Sequence, residues 1–213
     1  MRTLQKGFTL VEIAIVLVII GLLLGGILKG QEMITQAKIK NVIADFSGIS
    51  AAYYGYQDRY RAIPGDDPGT ARWGLTPPVS SGNGVVTGKY NSANATDEAR
   101  LWWDHLRRAG FVAGIGTQQP FNAVTGQIGV QTGDAGSPIG PALSGFTSLI
   151  ICSANLPDKI AIATDTQMDD GVINTGTVRG QLQTAPNPDI DAAAPVTNYV
   201  ESGTTVYTLC RAL

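Results

Sequence analysis

The sequence predicts an α+β fold: a long amino-terminal α-helix packed against a small antiparallel β-sheet head with long loops. Three observations carry that reading. From Phe8 to Leu28 the only ionisable side chain is Glu12. Beyond it, Ile39, Val42, Ile43, Phe46, Ile49, Tyr53, Tyr56 and Tyr60 recur at three- and four-residue steps, the period of one helix face. In the last third, short segments alternate apolar and polar residues in the manner of strands.

The first helix is expected from about Phe8 to about Arg61, where Pro64 and Gly65 stop it. Its first 21 residues would rise ~31 Å, enough to cross the hydrocarbon core of a bilayer. Arg2 and Lys6 favour keeping the leading end in the cytoplasm, while Lys29 weakens the asymmetry. A carboxylate in lipid is expensive, ~2.5 to 3.5 kcal/mol on insertion scales, so Glu12 needs a reason to be there. Gly21, Gly25 and Gly26 interrupt the run; Gly21 and Gly25 form a small-x-x-x-small pair that lets helices approach closely, and glycine also loosens the helix. From residue 29 to 61 the helix becomes amphipathic, with Lys38, Lys40, Asp45, Asp58 and Arg59 on other faces, and serves as the spine of a head.

Residues 62–213 are expected to form that one globular head. Pro64 to Thr96 reads as loop, dense in Gly-Asp-Asp-Pro-Gly and Ser-Ser-Gly-Asn-Gly turn signals. A helix follows, with Thr96 as its cap, Asp97 and Glu98 at the positive pole, Arg107 and Arg108 at the negative pole, and Gly110 at its end. Ala99, Trp102, Trp103 and Leu106 form its buried side, and His105, the single histidine, is placed at the surface or its boundary. Phe111 to Thr147 is glycine-rich with one charge, Asp134, and reads equally as short strands or as a long irregular excursion. Phe146–Cys152, Thr177–Thr184 and Thr204–Ala212 are strand candidates, with a turn at Glu201-Ser-Gly.

Cys152 and Cys210 are the two cysteines, and in an oxidising compartment they most simply form one disulfide. Between them, Pro157 and Gly171 bracket a helix that sets Asp165 and Asp169 one turn apart near its negative pole, with Asp170 beside them. That repulsion calls for a cation. Arg179, as a structural ion pair, is the favoured answer, and calcium is the alternative because clustered oxygens suit that ion. No other metal or cofactor is expected. Asp104 and His105 are adjacent on a helix and face different ways, and no nucleophile motif, P-loop or dinucleotide fingerprint appears, so the chain is not read as an enzyme. With 15% charged residues and a formal net charge of −2, nothing indicates nucleic-acid attraction.

The segment Gly7-Phe8-Thr9-Leu10-Val11-Glu12, following a short basic leader, resembles the class III leader of type IV prepilins and of the pseudopilins of type II secretion. The resemblance covers Met1 to about Lys40. It implies a pilin-like fold, cleavage after Gly7 by a prepilin peptidase, loss of residues 1–7, and N-methylation of Phe8. Such cleavage changes the formal net charge from −2 to −4, since Arg2 and Lys6 are both lost. Residues 8–28 would then be both membrane anchor and filament core, with Glu12 paired to the Phe8 amine of a neighbouring copy. The partners implied are other copies of the chain or a mixed pilin filament, the peptidase, and an inner-membrane assembly platform that supplies the work. The implied location is the inner membrane, single-pass, with the head periplasmic, and then the pilus or pseudopilus. A type IV pilus-like filament subunit is the first reading, a secretion pseudopilin the second, and a membrane-tethered periplasmic binding module the third.

Overall fold

The computed structural model describes residues 9–78, 80–133, 143, 145–190 and 198–213. Two compact units emerge, Met1–Ala37 and Lys38–Leu213. In the first, every described residue from Leu10 onward is helical, the start of helix α1 (Leu10–Tyr60). The helix runs unbroken through Gly21, Gly25 and Gly26, where nothing lies within 4 Å of an added Cβ. Its best 18-residue window has a mean hydropathy of 2.8 and is 0% buried. That is the composition and length of a membrane-crossing segment.

The second unit is the head. Along α1 the residues buried are Ile39, Val42, Phe46, Ile49, Ser50, Ala52, Tyr53 and Tyr56, with Ile43 and Tyr60 packed at the edge of the core. This is the stripe the periodicity predicts. Phe46 and Tyr56, 1% and 0% exposed, are among the largest buried side chains; fully burying such a residue is worth ~1.5 to 3 kcal/mol. Among its described residues, the expected loop after α1 holds only a short 3₁₀ turn, Thr70–Trp73.

Helix α2 (Glu98–Arg108) lays Ala99, Trp102, Trp103 and Leu106 into the core with no exposure. The two indoles meet edge to face at 4.9 Å. Asp97, rather than Thr96, occupies the cap position, and no side chain caps the helix. Thr96 instead donates its hydroxyl to Asn94 at 2.9 Å, because the Asn94 turn captures it first.

The sheet is antiparallel throughout, in the order β1-β2-β4-β3, with β1 Ile128–Thr132, β2 Leu149–Pro157, β3 Val178–Leu182 and β4 Val206–Ala212. Helix α3 (Asp158–Met168) follows β2 directly, with Pro157 at its cap. The period-two rule divides β2 cleanly. Leu149 and Ile151 join the core formed by α1 and α2, while Ile150, Cys152 and Ala154 join a second cluster with Tyr90, Phe146 and Cys210. Cys152 and Cys210 face each other across the β2–β4 ladder, their Cα atoms 4.0 Å apart, and form the disulfide.

β3 and β4 fall where alternation places them, and β2 where the apolar run from Phe146 to Cys152 does. The fourth, β1, lies in the glycine-rich stretch that sequence leaves open. Its outer edge is covered by residues 86–90: the Val86 N–H donates to Thr132 Oγ1 at 2.9 Å, and the Tyr90 N–H to Gln131 Oε1 at 3.0 Å. Gly129 is required there, since an added Cβ would stand 1.9 Å from the Tyr90 carbonyl oxygen. β2 runs beyond its predicted end, to Pro157, through a bulge between Ser153 and Leu156 where Asn155 has φ 58°.

Candidate functional site

The residues that single out this chain stand at the start of α1. Gly7 and Phe8, the expected cleavage and methylation positions, lie outside the described residues. Glu12 is described, and its surroundings hold a feature the sequence reading missed. Thr9, just before the first helical residue, donates its backbone N–H to Glu12 Oε2 at 2.8 Å and its hydroxyl to the same oxygen at 2.7 Å. The Glu12 N–H returns a bond to Thr9 Oγ1 at 3.3 Å. This reciprocal pairing is a capping box, and Thr-x-x-Glu was its visible signal. The box satisfies amide groups that every helix start leaves orphaned, and sets a carboxylate at the positive end of the helix dipole.

Around Glu12 the helix presents only apolar surface. Leu10, Val11, Ile13, Ile15, Val16 and Leu17 are all 48% exposed or more. A monomer in water cannot carry so long a greasy face, so lipid or other helices must cover it. The arrangement does no chemistry of its own. It places one negative group inside an otherwise apolar contact surface, where a counter-charge is worth far more than in water.

The head holds the second group of expected residues. Asp165 is fully buried near the end of α3, Asp169 half-buried at its cap, and Asp170 exposed. One oxygen from each lies within 4.8 Å of the others. Asp169 Oδ2 accepts the N–H groups of Thr177 and Val178 at 2.5 and 2.9 Å. Asp170 accepts the Val172 N–H at 2.9 Å and the Thr175 hydroxyl at 2.5 Å, which hold its carboxyl below the usual range. The Arg179 guanidinium donates to the carbonyl oxygens of Gly176 at 3.1 Å and Leu143 at 3.2 Å and sits 4.6 Å over the Phe146 ring. Backbone amides and the Thr175 hydroxyl thus engage Asp169 and Asp170, and the charge of Arg179 also lowers the pKa of the Asp170 carboxyl. A guanidinium's reach is long, and here two carbonyls and an aromatic face lie along it.

His105 is also placed differently from expectation. It is 1% exposed, not a surface residue. Its Nδ1 accepts the Gly65 N–H at 2.8 Å, and its ring lies nearly parallel to Tyr56, 6.5 Å away. It sits three residues after Trp102, hence on the buried stripe, a spacing that the eye discounts in a polar residue. Burial pushes its pKa down to about 4. Next to it, Tyr56 donates to Asp67 at 2.5 Å, and Arg72 pairs with the same carboxylate at 2.6 Å. These groups join the end of α1 to the loop that follows and to α2, which makes them a structural knot.

Residues 2–28 match the family described as the prokaryotic N-terminal methylation motif. Over 106 residues, 46% of this chain, the sequence is 32% identical to the type IV major pilin protein PilE of Neisseria gonorrhoeae. Over 108 residues, 47% of this chain, it is 31% identical to a fimbrial protein of Neisseria meningitidis serogroup B. Each alignment covers 64% of the relative, so the chain spans just under two thirds of the length of the curated relatives it matches. With the motif at its amino end, the long apolar helix and the four-stranded antiparallel sheet, the chain carries a prepilin-type N-terminus and is homologous to type IV pilins.

Proposed function

We propose that this chain is a structural subunit of a type IV pilus-like filament, and not an enzyme. In this reading a prepilin peptidase removes residues 1–7, Phe8 is methylated, and the monomer waits in the inner membrane with its head in the periplasm. One observation carries the proposal: a helix whose most apolar window is wholly uncovered, with a single carboxylate, Glu12, near its start. Lipid covers that face in the monomer. Packed copies of the same face cover it in the filament, and the carboxylate then meets the Phe8 amine of the next copy. The capping box with Thr9 keeps Glu12 hydrogen-bonded while the monomer waits, which lowers the cost of carrying a charge near lipid.

The test is a strain whose own copy of this gene is deleted, complemented with wild type or Glu12→Ala. Wild type should restore surface filaments containing the chain, and Glu12→Ala should leave processed monomer in the membrane without filaments. Filaments formed normally by Glu12→Ala would refute the role of the carboxylate. Loss of periplasmic cargo secretion on deletion, with surface pili intact, would move the chain to the secretion pseudopilus instead.

A further inference from the structure

We propose that successive copies of the chain are joined along the head half of α1 by an ion pair, Asp45 of one copy with Lys38 of the next. The pair rests on the filament reading above and gives it a second point of register. Asp45 is half-buried on α1 and has no hydrogen-bond or ion-pair partner among the described residues. Burial raises its pKa above the ordinary carboxylate value, with no donor or cation to oppose the effect. Lys38, also half-buried, is likewise without a partner among the described residues. A carboxylate partly withdrawn from water is costly to leave uncompensated.

Seven residues separate the two, ~10.5 Å along the axis and within ~20° of one helix face, too far for the pairing that residues three or four apart make in one chain. Both stand at the border of the buried stripe. Val42, Ile49 and Ala52 lie on its core side, while Asn41, Ala44, Gly48 and Ala51 lie on the other side and are exposed. Nothing comes within 4 Å of a Cβ added at Gly48, so another helix can approach this face closely. Charge complementarity names the occupant as a second copy: moved ~10.5 Å along its axis, it sets its own Lys38 level with Asp45. The contact between Glu12 and the Phe8 amine has the same form, with the carboxylate four residues past the cation. Both contacts therefore shift the next copy in the same direction, by ~6 and ~10.5 Å, and a lysine stem of ~6 Å spans the difference. Such a contact is heterologous, so it propagates from copy to copy without closing a ring. An interfacial pair of this kind fixes register more than it adds affinity.

The experiment complements the deletion strain with full-length variants and measures sheared surface filaments against processed monomer in the membrane. Asp45→Lys and Lys38→Glu should each lower filament yield about tenfold or more while monomer persists, because like charges then face each other across the contact. The double variant should recover filaments. So should co-expression of the two single variants, since copies that alternate pair every opposite charge; a fault within one chain would not be cured that way. Lys40→Glu, ~140° around the helix from Asp45, should assemble as wild type. Normal filaments from either single variant, no recovery in the double variant or on co-expression, or equal loss with Lys40→Glu would overturn the pair while wild-type filaments stand. Absence of filaments from wild type would instead overturn the filament reading, and the pair with it.

Discussion

Lowering the pH should unfasten the head at His105 before its carboxylates are affected. The imidazole titrates near 6.5 in an unfolded chain and at about 4 when folded, with burial as the leading cause. Because the folded pKa is depressed, its contribution is fully present above pH 6.5 and is lost as pH falls from there toward 4. By linkage the loss at pH 4.5 relative to pH 7 is about 2.5 kcal/mol from this one group. The structural origin is plain: protonation would place a charge in a pocket 1% exposed and would put a second donor where Nδ1 now accepts the Gly65 N–H. Urea unfolding of the full chain in micelles at pH 7 and 4.5, followed by tryptophan fluorescence, measures it. His105→Gln should be less stable at pH 7 but much flatter between the two pH values. A wild-type curve that is flat over this range, or a slope that persists in His105→Gln, would refute the reasoning.

Other outcomes follow from the packing. Replacing both Cys152 and Cys210 with alanine opens a loop of sequence separation 58 and should cost about 4 kcal/mol in the chain-entropy account, read as a lower urea midpoint; a shift worth less than about 1 kcal/mol would show that the closed loop adds little. Gly129→Ala drives a methyl to 1.9 Å from the Tyr90 carbonyl and should cost about 3 kcal/mol or prevent folding, whereas near-neutrality would mean the strap at residues 86–90 moves aside freely.

Much of the architecture was readable because it is written in periods. The stripe from Ile39 to Tyr60 gave the spine, and Ala99, Trp102, Trp103 and Leu106 gave the second helix, since apolar spacing reports burial directly. What escaped was carried by polar groups and glycine. β1 has Gly129 and Gln131 in it, and its neighbours are turns, so no alternation stands out. The end of β2 passes through Ser153 and Asn155, whose hydrogen bonds, not their hydropathy, keep them in the sheet region. At Glu12 the sequence showed a costly charge, and the Thr9-x-x-Glu12 spacing that accommodates it in the single chain was a legible signal eclipsed by that charge. The acidic turn was legible as a cluster, but which donors satisfy it depends on the path of residues 172–178, a matter of backbone geometry that composition does not encode.

Placing β4 between β2 and β3 has a consequence for how the head is made. A nascent chain delivered amino end first, whether from a ribosome or through a translocation channel, presents β1, β2 and β3 before the strand that joins the last two exists. Until β4 arrives only the β1–β2 ladder can pair, and joining β3 to it waits on a strand of long sequence separation, which is slow. The sequence thereby postpones its own full compaction, and the Cys152–Cys210 link, which needs β4, is a seal applied last.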